Sequence, residues 1–294
     1  MTTAIVFSGQ GSQVVGMGFD FYKSFPQSRE VFEEVDDTLH FSLSQLIFTG
    51  PAEILNKTQY AQPAIMAVSM AIWKVFHPQC QFMAGHSLGE YTALCAAQAL
   101  TLEQTSSLLQ QRGLAFAEIQ GQMLVVLGLD REIIREVTQQ TDTYIANENS
   151  ALQTVISGTA ENIEKADELL RQKGAKHTIT LQVSGPFHSP LMEKSKQTMI
   201  PFLQQVDMKK AQIPVVSNVT AELMTEPEDI KQKLIDQMVC PVKWQESIQN
   251  LVNQGVDKFI EIGPGRVLTG LIKRIAPEAK TFFINSVYDL DNIS

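Results

Sequence analysis

Little in this sequence would take it outside the ordinary soluble globular class. It has three cysteines, Cys80, Cys95 and Cys240, an odd number with no C-x-x-C spacing. That excludes a disulfide framework and a zinc ribbon and points to a reducing compartment. No basic run is present, and 23 Lys and Arg against 32 Asp and Glu leave a formal net charge of -9, which argues against a nucleic-acid partner. Long hydrophobic runs are also missing. The longest, Pro63 to Phe76, is broken by Ser69 and Lys74 and falls short of the roughly 20 residues a bilayer span needs. The opening "MTTAIVFSGQG" enters a strand-like segment with no basic leader and no long apolar segment of a signal peptide. The expectation is a cytoplasmic protein that binds neither membrane nor nucleic acid.

The 294 residues, 44% hydrophobic and 19% charged, suffice for one large domain or two modest ones around a real core. "TAIVFS" (3–8) reads as a buried strand before a glycine-rich stretch, residues 60–76 as a helix, and Phe82–Ala84 as a short strand. Leu88–Ala99 suits a helix. A second helix is expected from Thr101, which has capping-box spacing to Gln104, to about Ile119. Strand, tight turn and helix with apolar strands form an α/β pattern. The middle of the chain reads strand (122–129), helix ("REIIREVTQQ"), two strands ("TYIANE", "LQTVISG"), helix ("AENIEKADELLRQKG") and strand ("AKHTITLQV"). That β-α-β-β-α-β order is the ferredoxin-like motif, expected here as a small domain inserted into a larger one. "DKFIEIGPG" is a further strand-to-turn, followed by a helix at Arg266–Ile275.

The segment "AGHSLGEY" (84–91) sets Ser87 between Gly85 and Gly89. A G-x-S-x-G turn between strand and helix lifts the serine Oγ clear of the sheet, over a helix N-terminus whose free N–H groups can bind an oxyanion. Serine needs a base, usually histidine. His86 is adjacent, but neighbouring side chains diverge from a tight turn. His40 and His77 lie among surface-like residues, and His177 sits in a strand with its side chain toward solvent. His188, in the Gly-Pro-bracketed loop "SGPFHSP" where the chain leaves the inserted domain, is the best placed to face a cleft. "GQGSQ" (9–13) is neither a P-loop nor a dinucleotide fingerprint. It is either a plain tight turn or a close backbone approach in which the Gln10 N–H donates into an oxyanion hole. Arg112 interrupts the apolar face marked by Leu108, Leu109, Ala115, Phe116 and Ile119. An inward guanidinium must be a structural ion pair, a snorkelling side chain or a fork for a carboxylate. "EIGPG" and "QMVCPVKW" read as structural turns. No carboxylate stands out as the third member of a serine triad.

"FSGQGSQVVGMG", "PAEILNKTQYAQPAI", "AGHSLGEYTAL", "QQRG", "VSGPFHSPLM", "PVVSNVTA", "CPVKWQESI" and "IEIGPGRVLTGLIKRI" occur in this order from about residue 3 to about 287. Together they resemble the malonyl-CoA:acyl-carrier-protein transacylases of bacterial fatty acid synthesis, a family that also supplies the acyltransferases of polyketide synthases. The resemblance implies a hydrolase-like large domain with a central, mainly parallel sheet over 1–121 and 188–294, and a ferredoxin-like small domain over 122–187. It implies Ser87 as nucleophile and His188 as general acid and base. Backbone N–H groups of Gln10 and Leu88 would form the oxyanion hole, and Arg112 would clamp the malonyl carboxylate. The Gln237 carbonyl would orient the histidine, which accounts for the missing acid, and Asn149 and Phe187 would line the acyl site. No metal or bound cofactor is implied; the CoA thioester is a substrate, and an acyl carrier protein is the partner. A monomer is the plainer expectation.

Some positions depart from the family pattern. Ser8 replaces the usual proline before "GQGSQ", "NENSALQ" lacks the common Pro-Gly, and "RGLAFAEIQGQM" lacks a methionine and has a shortened loop. Phe187 is expected to crowd out an α-methyl group. Lys173, Lys176, Lys273 and Arg274 are candidates for a local basic patch facing the acidic carrier. The rival functions are a stand-alone polyketide acyltransferase, a serine thioesterase or hydrolase, and a non-catalytic carrier-binding module.

Overall fold

In a computed structural model, residues 1–183 and 185–292 are described. Ser184 of the "SGPFHSP" loop and residues 293–294, the end of the expected large domain, lie outside them. The described residues contain strands β1 (Thr2–Phe7), β2 (Phe82–Gly85), β3 (Gln122–Leu127), β4 (Tyr144–Ser150), β5 (Gln153–Gly158), β6 (His177–Thr180), β7 (Val215–Val216), β8 (Leu223–Met224), β9 (Val256–Ile262) and β10 (Lys280–Ile284). They form two sheets, one in the order β10-β9-β1-β2-β7-β8 and one in the order β4-β5-β3-β6. All pairings in the first are parallel except β7 with β8. The second is antiparallel throughout, in the strand order of the ferredoxin-like motif.

Strand alternation explains why helices cover both faces of the larger sheet. Ile5, Phe7 and Met83 enter one apolar cluster with Ala64, Ile65, Val68, Leu108 and Leu109 from helices Thr58–Val75 and Leu102–Ala117. Ala4, Val6 and Ala84 point the other way, into a cluster with Trp244, Ile248, Leu268 and Leu271. Side chains on a strand alternate between faces, so β1 is apolar at nearly every position because both faces are buried. The small sheet packs its helices Arg131–Thr141 and Ala160–Gln172 over Leu124, Val126 and Ile156.

Several boundaries moved. The helix after Ser87 runs over Leu88–Ala96, short of Ala99, because Gln98 takes a left-handed conformation (φ 61°) and the Ala99 N–H turns back to the Leu94 carbonyl at 2.9 Å. The next helix has the expected Thr101/Gln104 capping box but ends at Ala117. The last small-domain strand shrinks to His177–Thr180. Segments not assigned from the sequence, including Pro26–Leu39, Glu193–Gln205, Pro227–Gln237 and Trp244–Asn253, are helices. Among the described residues no helix is long and apolar enough to cross a membrane.

Two features of this layout create a site. Phe7 is in register with Gly85 of β2 and with Ile262 of β9, so the carboxyl ends of three parallel strands open on one edge, where α/β sheets bind ligands. The small sheet is stitched to that edge: Glu148 N–H donates to the Val242 carbonyl (2.8 Å) and Val242 N–H to the Ala146 carbonyl (2.9 Å). "QMVCPVKW" therefore closes the end of a helix and then adds a bridge alongside β4.

Candidate active site

Ser87 stands between β2 and helix Leu88–Ala96 with φ 55° and ψ -108°, a strained backbone for a residue bearing a Cβ. The turn closes because its flanking glycines touch. A Cβ on Gly85 would lie 1.9 Å from the Gly89 backbone, and one on Gly89 would lie 2.3 Å from the Phe7 carbonyl oxygen. Asn218 braces the turn from both sides, accepting from the Ser87 N–H (2.7 Å) and donating from Nδ2 to the Gly85 carbonyl (2.7 Å).

His188 comes from the loop leaving the small sheet, and its Nε2 lies 2.7 Å from Ser87 Oγ. Its Nδ1 lies 2.8 Å from the backbone carbonyl of Gln237. A carbonyl only accepts, so Nδ1 carries the hydrogen and Nε2 presents its lone pair to the serine hydroxyl. Burial, reinforced by the Arg112 charge, lowers the His188 pKa to about 3; the ring is neutral at pH 7 and able to accept a proton. His40, His77 and His177 are exposed, away from this cluster. His86 turns from Ser87: its Nε2 meets Asn149 Oδ1 at 2.9 Å and its ring packs on Trp244. Asn149 thus ties the small sheet to the residue preceding the serine.

Arg112 is 1% exposed and makes no ion pair with a carboxylate among the described residues. Its NH1 donates to Gln62 Oε1 (2.8 Å), and its NH2 to Gln237 Oε1 (2.8 Å) and Ser87 Oγ (3.1 Å). The guanidinium lies 4.3 Å from the Phe116 ring centroid and 5.5 Å from that of Tyr91. Nε has no partner among the described residues. Of the alternatives open to the sequence, an ion pair and a snorkelling side chain are thereby removed. A buried, hydrogen-bonded cation held beside a serine Oγ is left, built to receive an anion.

Ser87, His188 and Arg112 line a cavity of about 200 Å³ together with Gln10, Phe187 and Val267. Phe187 packs on Phe116 at 4.8 Å between ring centroids. The Leu88 N–H begins the helix after the serine, and neither it nor the Gln10 N–H joins a turn, loop or cap hydrogen bond among the described residues. No group of three or more His, Cys, Asp or Glu among those residues is arranged to hold a metal.

Sequence reasoning missed Gln62, Asn218 and Glu90. Glu90 carried a signal: it is the one charged residue in a helix whose residues are all buried; Gln62, one of several polar residues in its helix, carried a weaker one. Asn218 sits in a loop, and nothing in its local sequence distinguishes it. "EIGPG" is more than a turn, since buried Glu261 accepts from the Leu268 and Thr269 N–H groups and lines the cavity.

Residues 4–282 match the acyl transferase domain family. The chain is 44% identical to the malonyl CoA-acyl carrier protein transacylase of Bacillus subtilis (strain 168), over 96% of this chain and 93% of that protein. Its fold is similar to that of the acyl-carrier-protein S-malonyltransferase from Bartonella henselae, at 40% identity and a TM-score of 0.96, covering 99% of this chain and 98% of that one. A TM-score of 0.96 at 38% identity, with coverage of 99% and 98%, also relates it to the structure of a type II polyketide synthase acyl-carrier protein in complex with its malonyl-transacylase.

Proposed function

This chain belongs to the acyl transferase family, and from that premise we propose how its residues share the work of moving a malonyl group from malonyl-CoA to the phosphopantetheine thiol of an acyl carrier protein. Ser87 Oγ attacks the thioester carbonyl while His188 Nε2 takes its proton. The N–H groups of Gln10 and Leu88 receive the oxyanion, each donor contributing about 3–4 kcal/mol at the transition state. Collapse expels the CoA thiolate, which takes the proton from His188 and leaves malonyl-Ser87. The carrier thiol then gives its proton to His188, attacks the ester carbonyl and releases Ser87 protonated. CoA is thus a substrate, and the reading calls for no cofactor. We read 1–121 with 188–294 as the large domain and 122–187 as the small one; the site between them draws its residues from one chain, which fits a monomer, and we place the protein in the cytoplasm.

One observation carries the assignment of roles: a buried guanidinium in direct contact with no carboxylate among the described residues lies 3.1 Å from the serine oxygen. It supports a nucleophile that works on an acyl group ending in a carboxylate, which a general esterase or hydrolase has no need to bind. Asn149 and Phe187 line the acyl pocket in this reading. The carrier docks where Arg274 NH1 meets Gln153 Oε1 (3.0 Å) at the cleft mouth and where Lys176 packs over Gly128, beside exposed Leu152 and Val267. Lys173 and Lys273 are exposed and extend this basic surface.

The test is intact-protein mass spectrometry after brief mixing with malonyl-CoA, acetyl-CoA or methylmalonyl-CoA, beside Ser87→Ala. A malonyl adduct that requires Ser87 is expected. Rapid CoA release with no adduct and no acceptor thiol would instead make the protein a hydrolase.

A further inference from the structure

Buried Arg112 needs a counter-charge when no acyl group is present, because an isolated buried charge costs several kcal/mol. All its hydrogen-bond partners are neutral: Gln62, Gln237 and Ser87. The compensating group lies one residue further. Glu90, 0% exposed, is one helical turn beyond Ser87, and its Oε2 accepts from Gln237 Nε2 at 2.6 Å and from the Asn218 N–H at 3.4 Å. The other end of the same Gln237 amide accepts from Arg112. A single amide therefore bridges acid and base, and its orientation is locked, since Nε2 also donates to the Ser87 carbonyl at 3.0 Å. Glu90 Oε1 is buried with no hydrogen-bond partner among the described residues. It is an open position for a proton, and the acyl-transfer chemistry makes no use of it.

The charge count decides what happens on loading. With the site empty in alkaline medium, Arg112 and an ionised Glu90 sum to zero. A bound malonyl carboxylate makes two anions against one cation among buried groups, and a low-dielectric site relieves such an excess by protonation. We propose that in alkaline medium Glu90 is the counter-charge of Arg112 in the empty site and takes up one solvent proton on Oε1 when the acyl carboxylate engages the guanidinium. This rests on the reading of Arg112 as the malonyl clamp.

The surroundings favour Glu90 as the group that titrates. Burial pushes it up to about 8, against the pull of its hydrogen bonds from Gln237 and Asn218 and the charges of Arg112 and Lys233. Tyr91, on the same helix, is raised to about 12 by burial. His188 is lowered to about 3, and His86 is lowered by burial. Lys233, on helix Pro227–Gln237, is paired with Asp229 at 3.0 Å. Glu261, the other buried carboxyl at the cleft, is also raised by burial, but both its oxygens accept hydrogen bonds, from Ser8, Leu268 and Thr269. It has no vacant oxygen.

The consequence is a preference for malonyl over acetyl that weakens as the medium becomes alkaline. The test equilibrates the full-length protein with malonyl-CoA plus CoA, and separately with acetyl-CoA plus CoA, from pH 6.5 to 9. Acyl-Ser87 is read by intact mass. Ionisation of the CoA thiol is common to both reactions, so the malonyl-to-acetyl ratio isolates the carboxylate. The ratio is expected to be flat near pH 6.5 and to fall towards about tenfold per pH unit above pH 8, the slope of one linked proton; Glu90→Gln is expected to flatten it. In parallel, the wild-type loading enthalpy measured in buffers of different ionisation enthalpy should report more proton uptake with malonyl than with acetyl, a difference of about half a proton near pH 8 that rises towards one at pH 9. Absence of any malonyl-Ser87 adduct would overturn the functional reading itself. An adduct with a pH-independent ratio and no excess proton uptake with malonyl would overturn only the role of Glu90, as would a Glu90→Gln protein that keeps the wild-type slope. The wild-type measurements decide the matter even if that variant fails to fold.

Discussion

Gln237 meets His188 with its backbone and Arg112 with its side chain. The carbonyl lies 2.8 Å from His188 Nδ1, and Oε1 accepts from Arg112 NH2 at 2.8 Å. One residue thus holds both the ring and the guanidinium that face Ser87 Oγ, and the two contacts can be separated by truncation. In Gln237→Ala the carbonyl remains while the amide is lost. A hydrogen bond to a charged group contributes about 1.5–3 kcal/mol, so malonyl loading should fall roughly tenfold or more while acetyl loading changes far less. Paired single-turnover rates with the two CoA esters check this; equal losses would mean that the side chain serves the histidine instead.

The histidine sets the acid limb. Burial and Arg112 lower His188 from 6.5 to about 3, so acylation by the free enzyme should persist well below pH 6 rather than halving near 6.5. Stability follows by linkage. The unfolded chain binds a proton below 6.5 that the folded ring refuses, so the contribution of His188 is present above 6.5 and is lost as pH falls towards 3. Glu90 acts in the opposite direction. Raised from 4.5 to about 8, its contribution is present below 4.5 and is lost as pH rises through about 8. Denaturant midpoints from pH 4 to 9 should therefore decline at both ends, and Glu90→Gln should remove the loss on the alkaline side.

Lysine cannot replace the fork of Arg112. Arg112→Lys keeps a charge but gives up the planar geometry that reaches Gln62, Gln237 and Ser87 together. The malonyl-to-acetyl ratio of acylation rates should drop by about 10–100-fold, the scale of a lost charged hydrogen bond or two. Competition between the two CoA esters, resolved by adduct mass, measures it directly, and an unchanged ratio would remove Arg112 from substrate selection.

Phe187 packs on Phe116, which itself lies against the Arg112 guanidinium, so the ring bounds the space beside the clamp. Phe187→Ser should raise methylmalonyl transfer relative to malonyl by about tenfold, the value of a methyl-sized change in an apolar pocket. Faster methylmalonyl than malonyl transfer by the wild type would already contradict the crowding argument.

The Ser87 turn tolerates no Cβ at its start. In Gly85→Ala the new atom would sit 1.9 Å from Gly89 backbone atoms, and backbone cannot yield as a flexible side chain does. Destabilisation above about 4 kcal/mol is expected, read as a lowered denaturant midpoint or as insoluble protein. Gly113→Ala, 2.4 Å from Gln59 Cα across the packed helices, should behave similarly although it lies outside the turn.

What the sequence determined by itself was whatever is encoded locally. Alternation and runs of apolar residues marked β1, β2, β9 and the β-α-β-β-α-β order of the small sheet, because strand burial leaves a period that neighbouring residues share. Glycine spacing marked the Ser87 turn, since only glycine allows that backbone approach, and Arg112 announced itself as a charge on an apolar face. Tertiary structure decided whatever depends on residues distant in the chain. His188 meets Ser87 only because the fold returns the loop leaving the small sheet to the serine turn, 101 positions along the chain. The atom that meets His188 Nδ1 is the Gln237 backbone carbonyl oxygen rather than a carboxylate, and a carbonyl is a group that every residue carries and no sequence pattern reveals. Gln62, Asn218 and Glu90 gained their positions from helix and loop packing around the turn. An amide or carboxyl acquires a role in such a site only through its partners, and partners are a property of the fold.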